Sequence, residues 1–186
     1  MKILPVVMVV FLCSFLLGNE AEYYILQEDS KTVKYFQYGK GSFLTYYSDS
    51  KEKIANQEYY VHVTEYAWGP IDSSYIRMGD DFFYHYSKKV KAESILLPRN
   101  PIIGFKWWEN DSSWMYTVLK TDQLFTTPVK SYPNCILVEC KQLTGRDKHK
   151  RPFYFLYYAK GIGYVGNVDS HGNVLSYLKE ITTTSK

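Results

Sequence analysis

The chain has 186 residues, with 22 Lys and Arg against 19 Asp and Glu and a formal net charge of +3. That length suits about one domain with a well-filled core, and the charge is too small for a nucleic-acid binder. Aromatic residues make up 18% of the chain, 19 Tyr, 10 Phe and 4 Trp, which favours a pleated surface over a helical bundle.

Met1 and Lys2 give a short positive start, residues 3–17 are apolar with one proline, and small residues follow at Gly18 and Ala21. This pattern predicts a secretory signal peptide over 1–18, cleaved after Gly18 or Ala21, and a single β domain over 19–186. The apolar run falls short of the roughly 20 residues a membrane-spanning helix needs, so no membrane span is expected after cleavage. Cys13 follows Val10, Phe11 and Leu12, which are bulky where a lipid-attachment motif needs small residues. Removing residues 1–18 takes Lys2 away and lowers the charge of +3 to about +2.

Strand-like runs follow at 22–28, 32–38, 42–48, 58–67, 74–78, 81–87, 105–109, 114–121, 135–142, 153–159, 164–168 and 174–181. Segments 50–57 and 87–95 have room for a short helix each. In 58–67, Tyr59, Val61 and Val63 alternate with Tyr60, His62, Thr64 and Tyr66, which predicts a core face on the first set and an amphipathic face on the second. The run 153–158 is apolar or aromatic on both sides and reads as a central strand. Gly79 with Asp80 predicts a two-residue hairpin, and 169–173 a longer one. The fold expected is all-β: a strongly bent antiparallel meander sheet, as an open half-barrel or barrel-like form.

Cys135 and Cys140 lie five residues apart. On one strand they face opposite sides with Cα atoms roughly 16 Å apart, whereas a disulfide needs about 7 Å, so no bridge between them is expected. Gly161, Gly163 and Gly166 match the spacing of a dinucleotide loop, but a hairpin turn and a strand follow where a helix would have to receive the phosphates. They predict a β-bend. The four histidines have no metal-ligand spacing, so neither a metal nor a cofactor is expected. An enzymatic site would need distant groups such as His62, Glu65 or His85 to converge in a cleft, and a non-enzymatic role is expected.

The turn 145–152 is strongly basic and reads as the solvated tip of a long hairpin. Residues 110–112 match an N-glycosylation acceptor, relevant in a eukaryotic secretory route. Trp107, Trp108 and Trp114 flank a polar turn; adjacent Trp107 and Trp108 must face opposite sides of a strand. The three tryptophans are the candidate ligand-binding residues, for an apolar or carbohydrate surface.

The segments LLPRNPIIGFKW, TTPVKSYPNCILVE, YYAKGIGYV and VLSYLKEI occur in that order over 94–182. Their pattern resembles a family of secreted or lipid-anchored bacterial envelope proteins whose open half-barrels are similar to lipoprotein carriers. The amino-terminal half departs from that pattern, lacking the tyrosine-proline and glycine-x-x-tryptophan with which such proteins often begin. The resemblance implies a bent antiparallel sheet in the periplasm or outside the cell, and no site residue. The function expected is binding of a lipid or other hydrophobic small molecule in the curved sheet. The alternative is a structural module pairing with another envelope protein.

Sequencing the amino terminus of the exported chain should give Asn19 or Glu22 as the first residue; an intact Met1 in that fraction would contradict cleavage.

Overall fold

The computed structural model describes residues 23–24, 26, 31–145 and 153–183. The signal peptide, its cleavage sites, Cys13 and most of the basic turn 145–152 lie outside the described residues. So does part of the first strand-like run, of which Tyr23, Tyr24 and Leu26 are described.

Among the described residues twelve strands follow one another: β1 Thr32–Tyr38, β2 Gly41–Ile54, β3 Gln57–Tyr66, β4 Ile71–Met78, β5 Phe82–Ser87 and β6 Ala92–Pro98, then β7 Lys106–Trp108, β8 Trp114–Thr126, β9 Ser131–Gln142, β10 Phe153–Ala159, β11 Gly163–Asp169 and β12 Val174–Thr183. They form a single antiparallel sheet in the order β6-β5-β4-β3-β2-β1-β12-β11-β10-β9-β8-β7. The first and last strands pair in the middle of the sheet, from Thr32 opposite Thr183 to Tyr38 opposite Ser176. The two edges, β6 and β7, are therefore neighbours in sequence. They approach each other without a ladder, so the sheet is a nearly closed barrel with one seam.

Asn110, just beyond β7, clips that seam. Its backbone N–H donates to Ser94 Oγ at 2.9 Å, and its Nδ2 donates to the Glu93 carbonyl at 3.0 Å. Beside it, Phe82 stacks on Phe105 at 5.7 Å.

The two segments with room for helices are strands and turns. Residues 50–54 continue β2, and Ala55 and Asn56, both at positive φ, make the two-residue turn into β3. That turn type requires left-handed conformations at both positions, which Asn tolerates and Ala disfavours, so no glycine announced it. Residues 92–98 are β6, whose Lys-rich approach masked its strand character. The turn at Gly79 is also longer than two residues, since Met78 pairs with Phe83.

The strand 153–159 is central, flanked by β9 and β11, and buries side chains on both faces. Tyr154, Leu156 and Tyr158 face inward, in a cluster with Phe83, Leu97, Trp107, Val118, Ile136, Val138 and Cys140. Tyr157 and Phe155 face outward, against Phe125, Tyr132, Cys135, Ala159, Val165 and Val168. Cys135 and Cys140 are both free and buried, one in each cluster.

The outer cluster is covered by the far half of the β8–β9 hairpin. Its ladder is interrupted between Val118 and Lys120, Lys120 and Gln123, and Gln123 and Phe125, which lets it bend. Phe125 stacks on Tyr157 at 4.2 Å, and the Tyr132 hydroxyl donates to the Leu178 carbonyl at 2.9 Å, three strands away in the sheet. Burying Phe125 contributes about 2 kcal/mol. Gly166 makes the approach possible: at φ +152°, a Cβ there would sit 2.8 Å from the Phe125 ring and 2.4 Å from the Ser176 carbonyl.

Gly166→Ala should lower stability by roughly 2–4 kcal/mol, read as a drop in the urea midpoint. Gly172→Ala, at positive φ with nothing within 4 Å of its Cβ, should cost only about 1 kcal/mol.

Candidate functional site

Strand alternation decides which side chains enter the barrel. On β1 these are Lys34, Phe36 and Tyr38; on β2, Thr45 and Tyr47; on β3, Tyr60, His62 and Thr64; on β5, His85. The expected division of β3 holds, with Tyr59 and Val63 buried and Tyr60, His62 and Thr64 half-buried, but the buried face is the outer one. His62 lines the interior, whereas Tyr59 and Val63 are buried on the outer side. There the Tyr59 hydroxyl donates to Glu93 at 2.7 Å, and Glu93 also receives a two-pronged ion pair from Arg77 at 2.5 and 2.6 Å. The outer face of β3 is thus covered by neighbouring side chains that strand periodicity does not reveal.

Tyrosines divide the lumen into cavities, three of which bear on its chemistry. The largest, about 590 Å³, opens near the Asp169 turn and is lined by Trp114, Phe153, Tyr154, Tyr38, Gln142 and Asn167, among others. The second, about 380 Å³, lies along the seam. Its apolar wall is Ile95, Leu96, Leu156, Tyr154 and Tyr158, and its polar groups are His85, Ser94, Glu109, Asn110 and Tyr116. Tyr154 separates it from the first. The third, about 80 Å³, is lined by Lys34, Phe36, Thr45, Tyr47, His62, Tyr24 and Tyr164. Tyr164 stands edge-on to Tyr158 at 5.7 Å, and Tyr24 packs on Phe83 at 5.1 Å, so both rings partition the interior.

The seam cavity is electrostatically ordered. Glu109 accepts from the Tyr116 hydroxyl at 2.7 Å, and burial followed by that bond pushes the Tyr116 pKa far up. Burial also raises Tyr154 and lowers His85, the latter opposed by the charge of Glu109. The cavity therefore presents phenol hydroxyls and a largely neutral imidazole beside the side chains of Lys89, Glu109 and Asp111.

The three candidate tryptophans separate. Trp107 is 3% exposed, sandwiched between Phe105 at 5.8 Å and Tyr116 at 5.4 Å, and belongs to the core. Its indole Nε1 has no hydrogen-bond partner among the described residues. Trp108 faces outward and is exposed. Trp114 stands edge-on to Tyr154 at 5.5 Å and lines the largest cavity. His62, Glu65 and His85 do not converge: the histidines line different cavities, and Glu65 accepts from Tyr46. Among the described residues no group of His, Cys, Asp and Glu could hold a metal ion. Among them, too, no helix is long and apolar enough to cross a membrane.

Sequence reasoning missed Lys34, Glu109, Tyr154 and Tyr158 as cavity residues. The alternation of Tyr154, Leu156 and Tyr158 was a usable signal; nothing marked Lys34, which sits in a strand where a lysine ordinarily points to water. Cys135 and Cys140 are not reactive groups of any cavity, since burial pushes both thiols up, Cys135 to about 11.

No protein-family model, curated protein or solved structure matches this chain.

Burial, then the charges of Lys34 and His85, pull His62 from 6.5 down to about 4. A pKa lower in the folded state means that the unfolded chain binds more protons between those values, so stability is lost as pH falls from about 6.5 to about 4. The loss attributable to His62 is at most about 3 kcal/mol. Urea unfolding across that range should show it, and His62→Gln should flatten the profile.

Proposed function

We propose that this chain is an exported, non-enzymatic binding protein that holds a small amphipathic molecule in the barrel lumen. The observation that supports it is the seam cavity of about 380 Å³, with an apolar wall of Ile95, Leu96, Leu156, Tyr154 and Tyr158 and a few convergent polar groups, which is the make-up of small-ligand sites. His85, Ser94 and the Tyr116 hydroxyl orient the polar end of the ligand, and the tyrosine rings stack on its apolar part. The volume suits a compact molecule better than a long acyl chain, because Tyr154 and Tyr158 close the lumen on either side.

The seam supplies the route in. Among the described residues the β6 and β7 edges are held by the hydrogen bonds of Asn110 and by packed side chains such as Leu97 and Trp107, so opening there breaks no backbone ladder. The leader-like residues 1–18 and the resemblance over 94–182 support a place in the periplasm or outside the cell. Pairing with an envelope protein through the β6 and β7 edges is the second reading, supported by the absence of a ladder between them among the described residues.

Fluorescence titration of the processed protein with 1-anilinonaphthalene-8-sulfonate and cis-parinaric acid tests the first reading. Binding of either probe should weaken at least tenfold in Leu156→Trp, which fills the cavity. A wild-type protein that binds neither probe, together with crosslinks from β6 to another protein in intact cells, would favour the second.

A further inference from the structure

The smallest cavity has a composition that the seam site does not explain. Lys34 points into the barrel beside His62, and its ammonium donates one hydrogen bond, to the Ile162 carbonyl at 2.6 Å. No carboxylate among the described residues pairs with it. Around it are the Tyr47 hydroxyl, which donates to Tyr24 Oη at 3.1 Å, and Thr45, with the rings of Phe36 and Tyr164. The polar lining is thus rich in donors, one of them a cation, and carries no anion.

Lys34 is half-buried, and a cation drawn that far from water without a counter-charge is costly, so replacing it by an apolar residue of similar size would ordinarily stabilise the fold. Bonding a single carbonyl does not account for a lysine here, since the ammonium has two further protons to donate. We propose that the Lys34 cavity binds a monocarboxylate: the carboxylate oxygens take the free protons of Lys34 and a tyrosine hydroxyl, and its short apolar part lies on Phe36 and Tyr164. One cation matches one negative charge, so a phosphate dianion would be left half-compensated. About 80 Å³ admits a molecule of the order of acetate. This site is separate from the seam cavity, so either assignment can fail without the other.

Burial lowers the Lys34 pKa to about 8, and the titratable groups lining its cavity are Tyr24 from the amino-terminal segment, Tyr46 and Tyr47 on β2, His62 on β3 and Tyr164 on β11. Burial shifts Tyr24, Tyr47 and Tyr164 upward, the bond to Glu65 does the same for Tyr46, and His62 is held neutral above about 4, so near pH 8 the only one of these groups changing charge is Lys34. Carboxylate affinity should therefore fall as pH rises through 8.

The test is thermal unfolding of the full processed protein in sodium acetate, with sodium chloride and sodium phosphate at matched ionic strength. Acetate at about 100 times its Kd should raise the midpoint by roughly 5–10 °C at pH 6.5 and by much less at pH 9. Lys34→Met should raise the midpoint in acetate-free buffer and weaken acetate at least tenfold; Lys34→Arg should keep a measurable acetate shift. As a readout independent of stability, the acetate methyl protons should give NOEs to the Phe36 and Tyr164 rings. Equal shifts from chloride and acetate would overturn the proposal. So would an acetate effect unchanged in Lys34→Met, or a Lys34→Met protein that is less stable without acetate, which would make Lys34 a tether to Ile162.

Discussion

The pairing of β1 with β12 is the contact on which the rest of this structure depends. Without it the chain is two six-stranded meanders, β1 to β6 and β7 to β12, each with its apolar face open. Joining the two terminal strands in the middle of the sheet makes one surface of twelve strands, wide enough to curl until β6 meets β7. Closure then puts Tyr158 and Val138 from one half against Phe83 and Leu97 from the other, in a single buried cluster. The apolar area removed from water there is the main stabilising term, at about 25 cal/mol per Å².

The same closure creates the lumen and limits it. A barrel of this many strands would enclose a wide channel, and this one is narrowed from within by tyrosines and from outside by the bent β8–β9 hairpin. Tyrosine suits that duty, because its ring fills volume while its hydroxyl finds a partner at the far end. The hydroxyl of Tyr116 reaches Glu109, that of Tyr164 meets Ser176 and that of Tyr47 meets Tyr24. What remains between the rings is cavity space with a few fixed polar groups, which is the form a binding protein needs.

Much of the architecture was legible in the sequence because strand periodicity and turn glycines are local signals. The bounds of β1 and β10 coincide with the runs 32–38 and 153–159, and Gly161, Gly163 and Gly166 do lie in and beside a hairpin bend. The turn at Ala55 and Asn56 was hidden because neither residue is a glycine, and β6 because Lys and Glu around it favour helix. Tryptophan content alone did not locate the site. Trp107 and Trp114 differ in exposure because of where β7 and β8 fall in a curled sheet, which depends on residues far away in sequence. Lys34 and Glu109 were illegible for the same reason: their importance comes from what closure places around them.

Interstrand NOEs from the amide and Hα protons of β1 test the closure most directly. The account predicts contacts between Lys34 and Ile181 and between Gln37 and Tyr177, alongside those joining β1 to β2. A β1 that contacts β2 alone, with β12 showing no partner except β11, would contradict it.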